Sequence, residues 1–308
     1  MNYAEKLLNP TFLDDRVTEA AIILNADDYG MSAGISTGIE DLAFAGRLSA
    51  VSALVTLPEW PQYAARLAGL RKHVAMGLHV NLTLGAPIGS MPNFAPSGTF
   101  PPLADLLFRC FCKNLNEDEV AAEIYRQISR FEDHTGYSPD VIDGHQHVHV
   151  LPGVRTAFLR ALAARSLSSG VLVRDPSDSV FSICSRGRYV GKALTLRTLA
   201  LGFGAAVRRA GFITNFGFAG VSAFDERISV AREFRQFFFR PGPIHLVMCH
   251  PGRPDSEPKS FDPIVGRRID EFEYLLGARW LPQTIWHVAR DEQGWPLWPK
   301  IPNGIGAH

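Results

Sequence analysis

Asp27 and Asp28 stand side by side just after a short apolar run, Ala21–Leu24, and Gly30 follows. A strand running into Asp-Asp-x-Gly delivers two carboxylates to one edge of a sheet, with a turn behind them. Such neighbours repel unless a cation neutralises one, one takes a proton, or water solvates both. Histidines supply further chemistry. His79 lies in Val74–Leu82, His145, His147 and His149 alternate after Asp143, and His250 follows Cys249. Arg174 closes another apolar run. Imidazole plus carboxylate without thiolate suits Zn, Mn, Fe, Ni or Co, whereas Mg favours more oxygen. In an extended chain alternate residues share a face, so His145, His147 and His149 could all point one way. The alternative is that one or two of them hold loop geometry or orient another ligand. The helical His-Glu-x-x-His of zinc peptidases is absent. Cys249 and His250 are adjacent on a strand and face opposite sides, which argues against a Cys/His nucleophilic pair.

An alternation of strands and helices must position these residues. The pattern predicts strands at Ala21–Leu24, Leu48–Leu54, Val74–Leu82, Pro139–Asp143, Gly170–Arg174 and Ile244–Cys249. It predicts helices at Gly34–Gly46, Trp60–Leu70, Asn116–Thr135, Gly153–Ser166, Tyr189–Ala210, Val221–Phe239 and Ile264–Leu276. Asn116 with Glu119 three residues on reads as a capping pair, and Val120, Ile124, Ile128 and Phe131 recur at helical spacing. Thr83–Phe100 is Gly-, Pro-, Ser- and Asn-rich, a long loop of the kind that is functional or mobile. Ser177–Arg188 and the tail from Trp280 carry no clear pattern. The alternation argues for an α/β fold with a parallel sheet, open or closed into a barrel, in which ligands bind at the carboxyl ends of strands. Asp27 and Asp28, His79, the Asp143–His149 run, Arg174 and His250 all fall at such ends. A lone histidine is more often structural than a ligand, but five equivalent strand ends together point to a site.

The chain has 308 residues, 46% hydrophobic and 20% charged, with formal net charge zero. That gives no electrostatic case for nucleic acid or an anionic membrane surface as partner. Cys110, Cys112, Cys184 and Cys249 match neither a zinc ribbon nor a disulfide framework, and read as free thiols of a reducing cytosol. The first twenty residues lack the basic start and apolar core of a signal peptide. No window reaches about 18 uninterrupted apolar residues, so no membrane span is expected. Ala193–Val207, interrupted by Arg197, is the nearest candidate and supports at most a buried or membrane-facing helix. The expectation is a cytoplasmic protein with one barrel domain over 1–308. Residues 1–20 form an N-terminal extension, and 280–308 a tail.

Four stretches carry a resemblance: Asn25-Ala26-Asp27-Asp28-Tyr29-Gly30, Gly77-Leu78-His79-Val80-Asn81-Leu82-Thr83, Asp143-Gly144-His145-Gln146-His147-Val148-His149 and Cys249-His250-Pro251-Gly252. In order and in residue type the chain resembles the YdjC-like carbohydrate deacetylases across residues 22–252. The resemblance implies a distorted (β/α) barrel related to polysaccharide deacetylase barrels, and hydrolysis of an N-acetyl group from an amino sugar, oligomeric or lipid-linked. It also implies one divalent metal held by Asp28, His79 and His145, with Mg or Zn first and Mn, Ni or Co also admitted. Asp27 would be the general base, by analogy with polysaccharide deacetylases, and His250 the general acid. Arg174 falls where an arginine of that wider group holds the base. A homodimer is implied by the same resemblance. The family usually has Phe at Tyr29 and often His at Gln146; neither change touches an implied ligand. Ser177–Asn215 departs most, and substrate preference is expected partly there.

The chemistry agrees with these roles. A divalent metal polarises an amide carbonyl and makes hydroxide available at neutral pH. One acid can then serve the metal and the other take a proton. A histidine of ordinary pKa about 6.5 suits protonation of the departing amine. Tyr29, Phe94, Phe100, Phe216 and Phe218 are candidates to stack on sugar faces, though core packing is the commoner use of each. Asn215 and Asp225 are weaker candidates for sugar hydroxyls. Alternatives are another metal-dependent amidohydrolase or phosphoesterase on the same barrel, and a metal- or sugar-binding protein without catalysis. A two-metal phosphoesterase would need more carboxylates, and a pure binder needs neither Asp27 nor His250.

Overall fold

The computed structural model describes residues 20–167, 169–255 and 261–300. All of the expected N-terminal extension except Ala20, and the tail beyond 300, lie outside the described residues. Eight strands form one sheet: β1 Ala21–Tyr29, β2 Ala50–Ala53, β3 Ala75–Val80, β4 Val141–Gly144, β5 Leu172–Val173, β6 Ile213–Thr214, β7 Phe218–Ala219 and β8 Ile244–Cys249. Their spatial order is β6-β5-β4-β3-β2-β1-β8-β7, and every pairing is parallel. The edge strands β6 and β7 are separated in sequence only by Asn215, Phe216 and Gly217. A link that short forces the two edges toward each other, so the sheet curls into a distorted half-barrel of the expected (β/α) class. Asn215, 2% exposed, braces the seam. Its Oδ1 accepts from Asp175 N at 2.8 Å, and its Nδ2 donates to Asp175 O and Gly217 O at 2.8 and 2.9 Å. Its polar atoms are therefore committed to backbone and are not free for a sugar.

The central strands are buried apart from Ala21 at the start of β1, as expected of a parallel sheet covered by helices. The helices are α1 Ala33–Phe44, α2 Trp60–Gly69, α3 Leu103–Phe111, α4 Glu117–Thr135, α5 Val154–Ala164, α6 Val180–Arg186, α7 Val190–Leu199, α8 Phe203–Arg209, α9 Val230–Phe237 and α10 Val265–Gly277. Asn116 caps α4 by accepting from Glu119 N, and Gly136 ends it at φ +76°. The same helix anchors the long loop after β3. Glu119, Glu123 and Gln127 recur every four residues and so share a face. They accept from the backbone N–H groups of Asn93 and Phe94, of Ile88 and Gly89, and of Asn81 respectively. With Arg109, which donates to Phe94 O, and Asn81, which accepts from Thr83 N and Leu84 N, these side chains hold the loop.

Several sequence expectations are corrected. Tyr189–Ala210 is two helices, α7 and α8, because Gly202 adopts φ +76° between them. By composition Val190–Arg209 is apolar enough to cross a membrane, but it is made of helices of 10 and 7 residues, each shorter than a span needs. Of Val221–Phe239 only α9 is helical. Ser222 Oγ and Asp225 Oδ1 accept from Phe224 N and Arg227 N, and these local bonds compete with a helix. The pairing also occupies Asp225, which forks to Arg227. Leu103–Phe111 is a helix that the periodicity did not assign, and Phe212–Gly220 contains β6 and β7.

The seam makes a prediction. Asn215→Ala removes three part-buried hydrogen bonds and should lower unfolding free energy by about 1–3 kcal/mol, read as an earlier urea midpoint at unchanged slope. A wild-type midpoint would show that the link closes the sheet without the side chain.

Candidate metal centre

Successive residues of a regular strand face opposite sides, so Asp27 and Asp28 should diverge. They do not, because the pairing of β1 with β2 shifts register between Ala26 and Tyr29 and Asp28 takes φ +69°. Both carboxylates therefore line the cleft at the carboxyl ends of the strands, each 2% exposed. Tyr29 turns the other way. It is fully buried, and its hydroxyl donates to Glu40 Oε1 and approaches Tyr63 O, so it stacks on no ligand.

Each carboxylate is held by an arginine and turns one oxygen toward histidine. Arg174 donates Nη2 to Asp27 Oδ1 at 2.5 Å and Nη1 to Oδ2 at 2.8 Å, and Asn25 Nδ2 donates to Oδ1 at 2.7 Å. Asp27 Oδ2 faces His79 Nε2 and His250 Nε2, each at 4.0 Å. Arg268 donates Nη2 to Asp28 Oδ2 at 2.8 Å. Asp28 Oδ1 faces His145 Nδ1 at 3.0 Å and His79 Nε2 at 3.5 Å. His79 is oriented from behind: its Nδ1 lies 2.6 Å from Asp143 Oδ1, which turns Nε2 inward. Asp143 Oδ2 accepts from Ser52 Oγ at 2.7 Å and pairs with Arg174 Nη2.

Burial alone would raise the pKa of both acids, but the surrounding cations more than offset it. Arg174, with His79 and His250, holds Asp27 below the usual carboxylate range. Arg268, with His145 and His250, holds Asp28 well below it. Burial lowers His79, yet Asp143 and Asp27 bring it above its ordinary value. His250 has less help, and burial pushes it down to about 4, against the raising influence of Asp28 and Asp27.

Ligand atoms of Asp28, His79 and His145 lie within 4.8 Å of one another, as do those of Asp27, His79 and Asp143. The second group has its carboxylates bound by Arg174, whereas the first leaves Asp28 Oδ1 and two imidazole nitrogens converging. One oxygen and two nitrogens fit a divalent transition metal or Zn, with room for Mg if water completes the shell.

The alternating histidines do not share a face. His145–Val150 is a tight 3-10 segment in which Gln146 and His147 are left-handed, φ 53° and 57°. His147 turns its ring edge toward Phe218, with centroids 5.6 Å apart, and burial lowers it to about 3. His149 points into the core between Phe158 and Phe203 and donates from Nε2 to Arg174 O at 3.0 Å. Gly144 makes room for it, since a Cβ there would lie 2.7 Å from His149 Nδ1. Of the run, only His145 reaches Asp28. Arg174, Asp27 and His250 meet as well.

The cleft around these groups holds about 950 Å³. Phe94 and Phe100 pack on each other within the long loop, Phe216 lies under Arg208, and Phe218 is buried. The aromatic at the centre is Phe224, edge-on to His250 at 5.1 Å. Sequence reasoning did not single out Phe224, Asn25, Ser52 or Arg268. Asn25 and Ser52 carry a signal, polar residues in otherwise apolar strands. Arg268 carries none, being one cation within an amphipathic helix.

Arg174→Met would leave Asp27 and Asp143 buried without their cation. The expected loss is about 3–5 kcal/mol at pH 7, measured by chemical unfolding. In the wild type Asp27 is depressed, so its contribution is complete above the unfolded carboxyl value and lost only as pH falls through the low folded one. In the variant burial raises Asp27, so acid stabilises that form. The gap should narrow as pH drops toward 4; a gap independent of pH contradicts the charge assignment.

A family model described as YdjC-like protein matches residues 21–282. A carbohydrate deacetylase of Mus musculus is 35% identical over 196 residues, 61% of this chain, and the match spans 58% of that protein's length. A chitooligosaccharide deacetylase of Proteus mirabilis strain HI4320 is 32% identical over 195 residues, 58% of this chain and 74% of that protein. The crystal structure of an Enterococcus faecalis V583 protein named for cellobiose-phosphate cleavage superposes with TM-score 0.64 at 22% identity, over 86% of this chain and 94% of that one. This last likeness is one of fold.

Proposed function

This chain belongs to the YdjC-like protein family, and from that premise we propose that it is a metal-dependent hydrolase that removes the N-acetyl group from an N-acetylated amino sugar. The names of the two deacetylase relatives support the reaction class. The observation that carries it is the divided environment of two adjacent acids: Asp28 Oδ1 faces His79 and His145, whereas Asp27 Oδ2, which also accepts from Arg174, faces His250.

In this reading Asp28, His79 and His145 hold one divalent ion, Mg or Zn in the first instance. Such an ion supplies polarisation of the acetyl carbonyl and acidification of water. Asp27 takes the proton of the attacking water at Oδ2, which faces His250 and accepts one bond from Arg174, whereas Oδ1 accepts from both Asn25 and Arg174. Its depressed pKa makes it a weak base, suited to water that is itself acidified. The departing amine needs one proton. His250, lowered to about 4, is neutral at pH 7 in the free site, so it receives that proton during turnover. Asp27 Oδ2, 4.0 Å away, is the near source. One proton leaves water and one reaches the amine, and the pair returns to its starting state. Arg174 keeps Asp27 facing the cleft throughout.

Acetate release from N-acetylglucosamine oligomers, nucleotide sugars and N-acetylated glycolipids, assayed with Zn, Mg, Mn, Ni or Co, tests the reading. Asp27→Asn should bind metal as the wild type does and lose turnover by at least about 10²-fold, in keeping with removal of a positioned base. Wild-type turnover by Asp27→Asn would exclude Asp27 as the base. His79→Ala should lose metal and activity together; if it keeps its metal by equilibrium dialysis, His79 is no ligand.

A further inference from the structure

Arg268 sits 18 residues beyond His250 on α10, and it is 4% exposed. Its guanidinium touches three parts of the site at once. Nη2 donates to Asp28 Oδ2 at 2.8 Å, Nε donates to Asp262 Oδ2 at 2.8 Å, and Nη1 lies 3.5 Å from His250 O. Asp262 and Arg268 both line the cleft. Gly252, in the turn after His250, packs beside this helix: a Cβ there would lie 3.4 Å from the Arg268 Cβ. The backbone also connects them, with Gly252 N donating to Arg268 O at 3.0 Å.

We propose that Arg268 is a positioning residue that restricts Asp28 to a single ligating oxygen and ties that ligand to the strand end bearing His250. The proposal rests on the reading of Asp28 as a metal ligand. A carboxylate can meet a cation through one oxygen or through both. Here Oδ2 is taken by a guanidinium that is itself fixed by Asp262, so Oδ1 alone faces His79 and His145. A left-handed backbone at a non-glycine residue persists only where its surroundings hold it, and the Arg268 bond is one of the contacts that hold Asp28.

Electrostatics separates this role from a simple contribution to metal affinity. A buried guanidinium beside a divalent-cation site repels the cation, so its presence opposes binding. Removing it makes the site more negative. If Arg268 existed for affinity, it would be the wrong charge. A role in geometry predicts instead that its loss leaves binding intact and damages turnover. Lysine cannot substitute, because a point charge with no planar fork cannot hold Asp28 and Asp262 together.

The test uses Co(II) as probe in the full-length protein, with Arg268→Met, Arg268→Lys and Asp262→Asn. Wild type should bind Co(II) by calorimetry and show a visible ligand-field spectrum. Arg268→Met should bind Co(II) as tightly as wild type or more so, with an altered spectrum. Its kcat should fall about 10–100-fold, the range typical for loss of a group behind a metal ligand, with KM little changed. Arg268→Lys should fail to restore kcat. Asp262→Asn, which slackens the fork without removing the cation, should shift spectrum and kcat the same way by less, and it keeps the test intact if Arg268→Met does not fold. Spectra and kcat at wild-type values, full rescue by lysine, or loss of Co(II) binding by folded variants would each overturn the proposal. Absence of Co(II) binding by the wild type would overturn the metal reading itself.

Discussion

The guanidinium of Arg174, fully buried on the floor of the half-barrel, is the group on which the rest of the site depends. It forks onto Asp27 and also pairs with Asp143. Isolated charges at this depth would be costly, and a buried pair is not by itself a source of stability. What the pairing secures is direction. Asp27 is turned so that Oδ2, still bonded to Arg174, faces His79 and His250. Asp143 is held where it can orient His79, which in turn aims Nε2 at Asp28. Arg268 closes the series from the opposite side. Three acids, two arginines and three cleft-facing imidazoles, those of His79, His145 and His250, thus form a continuous chain of neighbours.

That chain spans the sheet. Its members come from β1, β3, β4, the exits of β5 and β8, and α10. A parallel sheet brings every carboxyl end to one face, and the short Asn215–Gly217 link curls that face into a concave one. Close approach of elements finishes the shape. Gly38 on α1 lies where a Cβ would meet Arg253 N at 2.8 Å, so the turn after His250 can settle on the helix. On the other side, Glu119, Glu123 and Gln127 of α4 hold the long loop that walls the cleft.

Much of this was legible in the residues. The strand and helix alternation, the five chemically marked strand ends and the Asn116 cap follow from local spacing, and local spacing is what periodicity and capping report. The ambiguity of Tyr189–Ala210 and of Val221–Phe239 has a local cause as well. A glycine that breaks a helix and one that is tolerated within it look alike in sequence, and Ser222 and Asp225 are as compatible with a helix start as with the turns they make.

By itself the sequence determined which residue types gather at the carboxyl ends of the strands, because hydrophobic runs of strand length stop at Asp27, His79, Asp143, Arg174 and His250. Tertiary structure alone decided which atoms meet. The left-handed Asp28 brings two neighbouring acids onto one face against the alternation of a strand. The left-handed pair Gln146 and His147 disperses three histidines that an extended chain would align. Arg268 reaches Asp28 across 240 positions. Backbone sign and long-range pairing are set by packing between elements, and no spacing along the chain encodes them.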